Sequence, residues 1–482
     1  MVRPTEELCR MSATTIAALV RRKDISPVEV TEAHLDRIAA LDGQLNAFCT
    51  PTPDLARAAA RRLEADILAG RPVGPLAGVP IGVKDLIFTA GVKTVSGSPA
   101  YQDFVPDEDD VVVERIKAAG AVILGKTNVP ELGYSGVGHN PVFATPRNPW
   151  NPALTPGGSS AGSGAAVAAE MCPVALGSDG GGSIRIPAAH SGIYGLKASM
   201  GRVPLYPGTK DERYPGASSW ESLEHIGPMT RTVEDAALMM SVLAGPDPRD
   251  RFSLPEAPYD WRRTIQGDIR GLKVAFSVDW GYAAVDPEVR AIVTAAAKVF
   301  ETELGCIVEE ANPGWSDPLA DFWALVAAES DLKGLRAMVK THGARMSPHL
   351  VAFIERDWTA EDLTNAVMTR KTVNNRMWRM MQHYDLLLTP TLAVPPFEIG
   401  IQGPETIDGR TVTSAHWLAF TFPLNLTGQP AASIPAGFTT GGLPVGLQIV
   451  GRHLDDALVL KASACFEKAR PWAQHRPPLL AR

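Results

Sequence analysis

Between residues 157 and 201 the chain runs GGSSAGSGAAVAAEMCPVALGSDGGGSIRIPAAHSGIYGLKASMG, and this stretch restricts the fold more than any other. It sets Ser159 and Ser183 in two glycine-rich turns on either side of an apolar run. Glycine has no side chain, so the backbone can turn sharply and several N–H groups can converge on one reacting atom, an arrangement suited to acyl chemistry. A flexible Gly/Ser spacer would be polar throughout. Here AAVAAEM has the residues of a helix and PVALGSD those of a buried strand, so the glycines interrupt a packed core.

The same stretch resembles the signature of the amidase signature family, and the resemblance extends from about residue 12 to about residue 470. Upstream, GPLAGVPIGVKDLIFTAGVKTVSGS carries Lys84 in a lysine motif, and AAGAVILGKTNVPELGYSGVGHNPVFATPRNPWNP follows. Downstream come HIGPMTRTVEDAALMM, YDLLLTPTLAVPP and NLTGQPAASIPAGFTTGGLPVGLQIVG, all in the family's order. The resemblance implies a Ser-cisSer-Lys triad with Ser183 as nucleophile, Ser159 as bridging serine on a cis Gly158–Ser159 peptide, and Lys84 as base. The 24-residue separation of the two serines is the family's spacing. It also implies an oxyanion hole from the backbone N–H groups of Gly180, Gly181, Gly182 and Ser183. The family more often has Thr or Ile where this chain has Gly180.

The chemistry can be rebuilt from the residues. A serine hydroxyl needs a base to take its proton, and a neutral buried lysine can serve. Lysine begins near a pKa of about 10.4, and desolvation can lower it by several units. Lys84 lies in IGVKDLIF, an apolar strand-like run, which fits burial; a surface ion pair with Asp85 is the competing reading.

Neighbouring residues have competing readings. Residues 158–162, GSSAG, match the G-x-S-x-G nucleophile elbow, which would make Ser160 the nucleophile. An elbow must follow a strand, and PWNPALTP before it carries three prolines. Ser160 is therefore expected to be a supporting hydroxyl. Asp179 and Arg185, at positions the family fills alike, are expected to brace the loop as an ion pair. His190 and His139 are expected to be ordinary packed histidines.

At 482 residues, with 45% hydrophobic and 21% charged, the chain can bury a large core. The resemblance implies one α/β domain over residues 1–482, with a mixed central sheet covered by helices on both faces. Apolar strands such as AVILG and KVAFSV alternate with helices such as DPEVRAIVTAAAKVFETEL, in agreement. SPVEVTEAHLDRIAALD opens with a capping pattern and Pro27 at the first helical position, predicting a helix over 27–41.

A net charge of −7 argues against direct nucleic-acid binding, and no stretch approaches a membrane span. The N-terminus lacks the apolar run of a secretory signal, and five scattered cysteines without C-x-x-C spacing read as reduced packing residues, so a cytoplasmic location is expected. No His/Cys/carboxylate spacing suits a metal and GKTN at 125–128 lacks the upstream glycine of a P-loop, so no cofactor is expected. The expected partner is a small-molecule substrate, with room left for a homodimer.

Residues 204–222 and 312–380 depart most from the family pattern and are expected to shape the substrate pocket. The second carries Trp315, Phe322, Trp323, Met338, Trp358, Met377, Trp378 and Met380, with Met381 just past its end, either pocket lining or an amphipathic core stripe. Two functions are implied. One is an amidohydrolase cleaving a small, apolar or aromatic amide, with carbamates and esters open to the same acyl-enzyme chemistry. The other is the glutaminase component of a tRNA-dependent amidotransferase. Glu224 stands where those glutaminase components and many relatives carry Asp, which favours the hydrolase.

Overall fold

A computed structural model describes residues 4–217 and 219–481; the ends of the 1–482 domain and position 218 in the segment 204–222 lie outside the described residues. The strands are β1 (Phe48–Pro51), β2 (Pro80–Lys84), β3 (Val122–Thr127), β4 (Val174–Ser178), β5 (Tyr194–Lys197), β6 (Ile226–Thr230), β7 (Lys273–Phe276), β8 (Ile307–Glu310), β9 (Leu386–Pro390), β10 (Thr406–Ile407), β11 (Arg410–Thr411), β12 (Ala431–Phe438) and β13 (Pro444–Gly451). All but the β10–β11 hairpin join one sheet in the order β1-β3-β2-β4-β6-β5-β12-β13-β9-β7-β8.

The sheet is mixed. β2 runs parallel to β3 and β4, and β7 parallel to β8 and β9; the other neighbours are antiparallel. Every residue of β2, β4, β5, β6, β9 and β13 is buried. A strand with one wet face would alternate, so these strands need cover on both faces. Helix Ala161–Ala168 packs on β2, β3 and β4, helix Val233–Leu243 on β5 and β6, and helices Pro287–Thr302 and Asp456–Ala469 on β12 and β13.

AVILG and KVAFSV fall in β3 and β7 as expected. The helix capped by Ser26, whose hydroxyl accepts from Val28 N and Glu29 N, runs to Leu45 and so outlasts the expected end at residue 41. Leu45 is buried, and left-handed Asn46 closes the last turn. The signature helix starts directly after Ser160, so AGSG is helical and not a turn. A Cβ on Gly162 would lie 2.1 Å from Ala47 O and 2.3 Å from Asn128 N. Packing against that backbone outweighs the roughly 1 kcal/mol helix penalty of glycine. Among the described residues no helix is long and apolar enough to cross a membrane, and all five cysteines are free.

Candidate active site

Parallel pairing of β2 with β4 brings their C-terminal residues, Lys84 and Ser178, to the same edge of the sheet. Lys84 is fully buried, and Nζ donates to Ser178 O at 3.1 Å, to Ser178 Oγ at 2.8 Å and to Ser159 Oγ at 2.7 Å. A carbonyl can only accept, so neutral Lys84 can give its two N–H groups to Ser178 and turn its lone pair to the Ser159 hydroxyl. Burial pulls the Lys84 pKa from the usual lysine range to about 8, against the opposing fields of Glu224 and Asp179. Asp85 points elsewhere: its carboxylate accepts from Val95 N and Ser96 N, so the surface-pair reading falls away.

Ser178 escaped the sequence reading. Its signal is its place at the end of a strand paired in parallel with the lysine strand, a pairing that a single chain does not disclose. The peptide Gly158–Ser159 is cis. Ser159 and Ser183 line one cavity, together with Ser178, Gly180, Leu86, Ile87, Leu132, Leu205, Trp220, Glu224 and Ile226. Among the described residues no hydrogen bond joins the two serine hydroxyls. Such links often tighten only when substrate is bound. The cavity volume is about 50 Å³, room for a few water molecules.

Beyond the cavity the chain forms the loop leading to helix Arg185–Ser191. Asp179 and Arg185 are both fully buried and meet in a two-pronged ion pair at 2.9 and 2.8 Å. Arg185 also donates to Thr421 O, Gln448 Oε1 and Asn425 Oδ1. Burial would raise the Asp179 carboxyl, but the Arg185 guanidinium, Lys197 and Asn425 hold it well below the usual carboxylate range. Neither residue lines the cavity, and the pair ties the loop to β13 and to the chain before β12.

One expectation needs correction. The Gly182 N–H donates to Asp179 Oδ1 at 2.7 Å, so it is committed to the brace and is not free for an oxyanion. Of the other expected donors, the amides of Gly180, Gly181 and Ser183 meet no protein acceptor among the described residues, and Gly180 and Ser183 line the cavity. Gly180 is the residue that the space allows. A Cβ there would stand 2.5 Å from Glu224 Oε2 and 2.7 Å from the Trp220 ring. Burial raises the Glu224 carboxyl, while Lys84 and the Ser178 hydroxyl oppose the rise.

Ser160 is fully buried between Ser178 N and Ser178 O, at 3.2 Å from each, a supporting hydroxyl that laces the serine turn to β4. His190 is buried, stacked on Trp417 and bonded to Val394 O, as a packed histidine; His139 is instead exposed, bonded to Thr145 Oγ1. Neither histidine lines the cavity.

From the segment 204–222, Leu205, Gly208, Gly216, Ala217 and Trp220 line the cavity. The segment 312–380 divides. Phe322 packs against Gly181, and Trp323 and Trp358 line a second, apolar cleft of about 380 Å³ with Tyr134, Leu350, Phe353 and Leu418. Tyr134 packs edge-on to Trp220 of the cavity wall at 5.0 Å. Trp315 packs on Trp280, Met377, Met380 and Met381 join the core, and Trp378 is 60% exposed, so these serve as packing or surface rather than lining.

A buried lysine bonded to one serine, with a second serine lining the same cavity, lies at the carboxyl ends of the parallel strands β2 and β4, and among the described residues no histidine lines that cavity. The chain belongs to the Amidase family, whose model matches residues 29–460. It is an enzyme acting on carbon–nitrogen bonds other than peptide bonds. An acylamidase of Rhodococcus erythropolis is 38% identical over 479 residues, covering 97% of each chain. The A component of the glutamyl-tRNA(Gln) amidotransferase of Thermosynechococcus vestitus is 34% identical, covering 95% of this chain and 98% of that one. The crystal structure of a bacterial aryl acylamidase of the amidase signature family superposes with a TM-score of 0.91 at 35% identity, covering 98% of this chain and 99% of the other.

Proposed function

We propose that the protein hydrolyses small acyl amides with an apolar or aromatic amine portion, through an acyl-enzyme on Ser183. The observation that carries this reading is the buried Lys84 held 2.7 Å from Ser159 Oγ, with Ser159 and Ser183 in one cavity. Neutral Lys84 takes the Ser159 proton as Ser159 takes that of Ser183, and Ser183 Oγ attacks the substrate carbonyl carbon. The proton returns through Ser159 to the leaving nitrogen, the C–N bond breaks and the amine departs. Water then enters by the same relay, and the carboxylic acid leaves. Free N–H groups of the loop stabilise the oxyanion of both tetrahedral intermediates.

The small cavity suits a short acyl group, and the aromatic cleft beside it suits an apolar leaving group. Similarity to the acylamidase and the aryl acylamidase supports the same substrate class. Aryl carbamates and esters present the same carbonyl and are expected to be slower and faster substrates, respectively. Similarity to the amidotransferase components supports a glutaminase instead. Glutamine carries an α-carboxylate, and among the described residues no lysine or arginine lines the cavity to pair with it. That charge pattern favours the acylamidase. Purified protein assayed against anilides, aliphatic amides, glutamine, aryl carbamates and esters should turn over short-chain anilides and leave glutamine untouched; glutaminase activity would reverse the choice.

The relay makes a second prediction. Ser159→Ala should lower turnover nearly as far as loss of Ser183, and the double variant should be little worse than either single one, because residues acting as a unit are not additive. Multiplying losses would show two independent serines.

A further inference from the structure

Two blocks far from the triad in sequence, HIGPM and NLTGQ, both begin behind the Ser183 loop. His225 immediately precedes β6, and Asn425 lies in the short helix Pro423–Thr427. The Asp179 carbonyl accepts from Asn425 Nδ2 at 2.7 Å, from His225 Nδ1 at 3.1 Å and from His225 N at 3.2 Å. The Asp179–Gly180 peptide is trans, so its C=O and N–H point in opposite directions. With the oxygen held toward Asn425 and His225, the Gly180 N–H faces away from them. Gly180 lines the cavity beside Ser183, and its N–H meets no protein acceptor among the described residues.

The partners of His225 fix its tautomer. Nδ1 faces the carbonyls of Asp179 and Leu223, which can only accept, so Nδ1 carries the hydrogen. Nε2 then accepts from Lys197 Nζ at 3.3 Å, and buried Lys197 also donates to Gln429 O. Burial and the neighbouring Lys197 hold the His225 pKa well below the usual histidine value, which keeps the ring in this neutral form.

We propose that Asn425 and His225 are positioning residues for amide hydrolysis: by clamping the Asp179 carbonyl behind the loop they aim the Gly180 N–H into the cavity as an oxyanion donor. This rests on the reading of Ser183 as nucleophile. Gly180 and Ser183 then supply the working amides, and Gly182 belongs to the brace.

The test uses a trifluoromethyl ketone analogue of a good anilide substrate, which forms a hemiketal oxyanion, alongside an unreactive amide that binds only as a ground-state competitor. Fluorine NMR and peptide mapping first locate the hemiketal on Ser183 of the wild type; its absence there overturns the nucleophile reading and this proposal with it. Asn425→Ala and His225→Gln should lower kcat about 10- to 100-fold with KM nearly unchanged, and weaken the ketone by the same factor while sparing the ground-state amide. His225→Asn, whose Nδ2 stands in for Nδ1–H, should recover most of the loss; His225→Gln, whose amide sits at the Nε2 position, should not. A wild-type hemiketal that is undiminished in the variants, equal weakening of both ligands, or equal activity of the Asn and Gln variants would overturn the positioning role alone. If Asn425→Ala fails to fold, the His225 pair decides the matter by itself.

Discussion

Ser183→Ala should reduce kcat on an anilide by about 10⁵- to 10⁶-fold, since loss of the nucleophile removes the whole relay and leaves only binding and oxyanion stabilisation. The fold should be nearly undisturbed. The Ser183 side chain is not fully buried, and its hydroxyl makes no hydrogen bond among the described residues, so its loss leaves no buried group unpaired. A thermal midpoint within about 2 °C of wild type would separate chemistry from stability. A sulfonyl fluoride should label wild-type protein on the peptide bearing Ser183 and leave the variant unlabelled. An adduct on Ser160, which is fully buried and bonded to Ser178 at both its roles, would sink the assignment. Residual activity close to wild type would do the same.

The parts legible in sequence are those whose chemistry is local. Lys84, Ser159 and Ser183 sit in short blocks with fixed spacing, and glycines beside two of them announce the turns. The apolar strands and the capped helix at Ser26 follow from periodicity and capping. What stayed hidden depends on long-range pairing. Ser178 reaches Lys84 only because β2 and β4 run parallel. Asn425 and Gln448 reach the loop from positions more than 200 residues downstream. Gly182 was expected as an oxyanion donor because a run of glycines does not say which amide faces out; Asp179 claims that one. Nor does the sequence say why Gly180 stands where the family more often has Thr or Ile: Trp220 and Glu224 fill the space a side chain would occupy. The aromatic and methionine supply of 312–380 was ambiguous for the same reason. Helical spacing alone does not tell Trp323, in the cleft, from Met377, in the core.

Lys84→Ala should remove the general base, and the loss should be greater on amides than on activated esters. An amide nitrogen must be protonated to leave, whereas an activated alkoxide or phenoxide departs unaided. The predicted order is a fall of about 10³-fold or more on anilides with a visibly smaller fall on nitrophenyl esters. In the wild type, turnover should climb with pH as Lys84 loses its proton and level off above about 8, where the buried amine is neutral. Stability should carry the same signature. Below pH 8 Lys84 is charged in both folded and unfolded chains, and its desolvation penalises the folded state in full. Between about 8 and the ordinary lysine value of 10.5 the unfolded chain holds the proton that the folded one has released, so stability rises with pH across that window. A volume-matched Lys84→Met variant lacks this term. The wild type should therefore gain on it by a few kcal/mol from pH 8 to 10.5 in denaturant unfolding. A flat pH–rate profile from mildly acid to alkaline, or parallel stability curves for the two proteins, would show that Lys84 titrates normally and that the proton from Ser183 goes elsewhere.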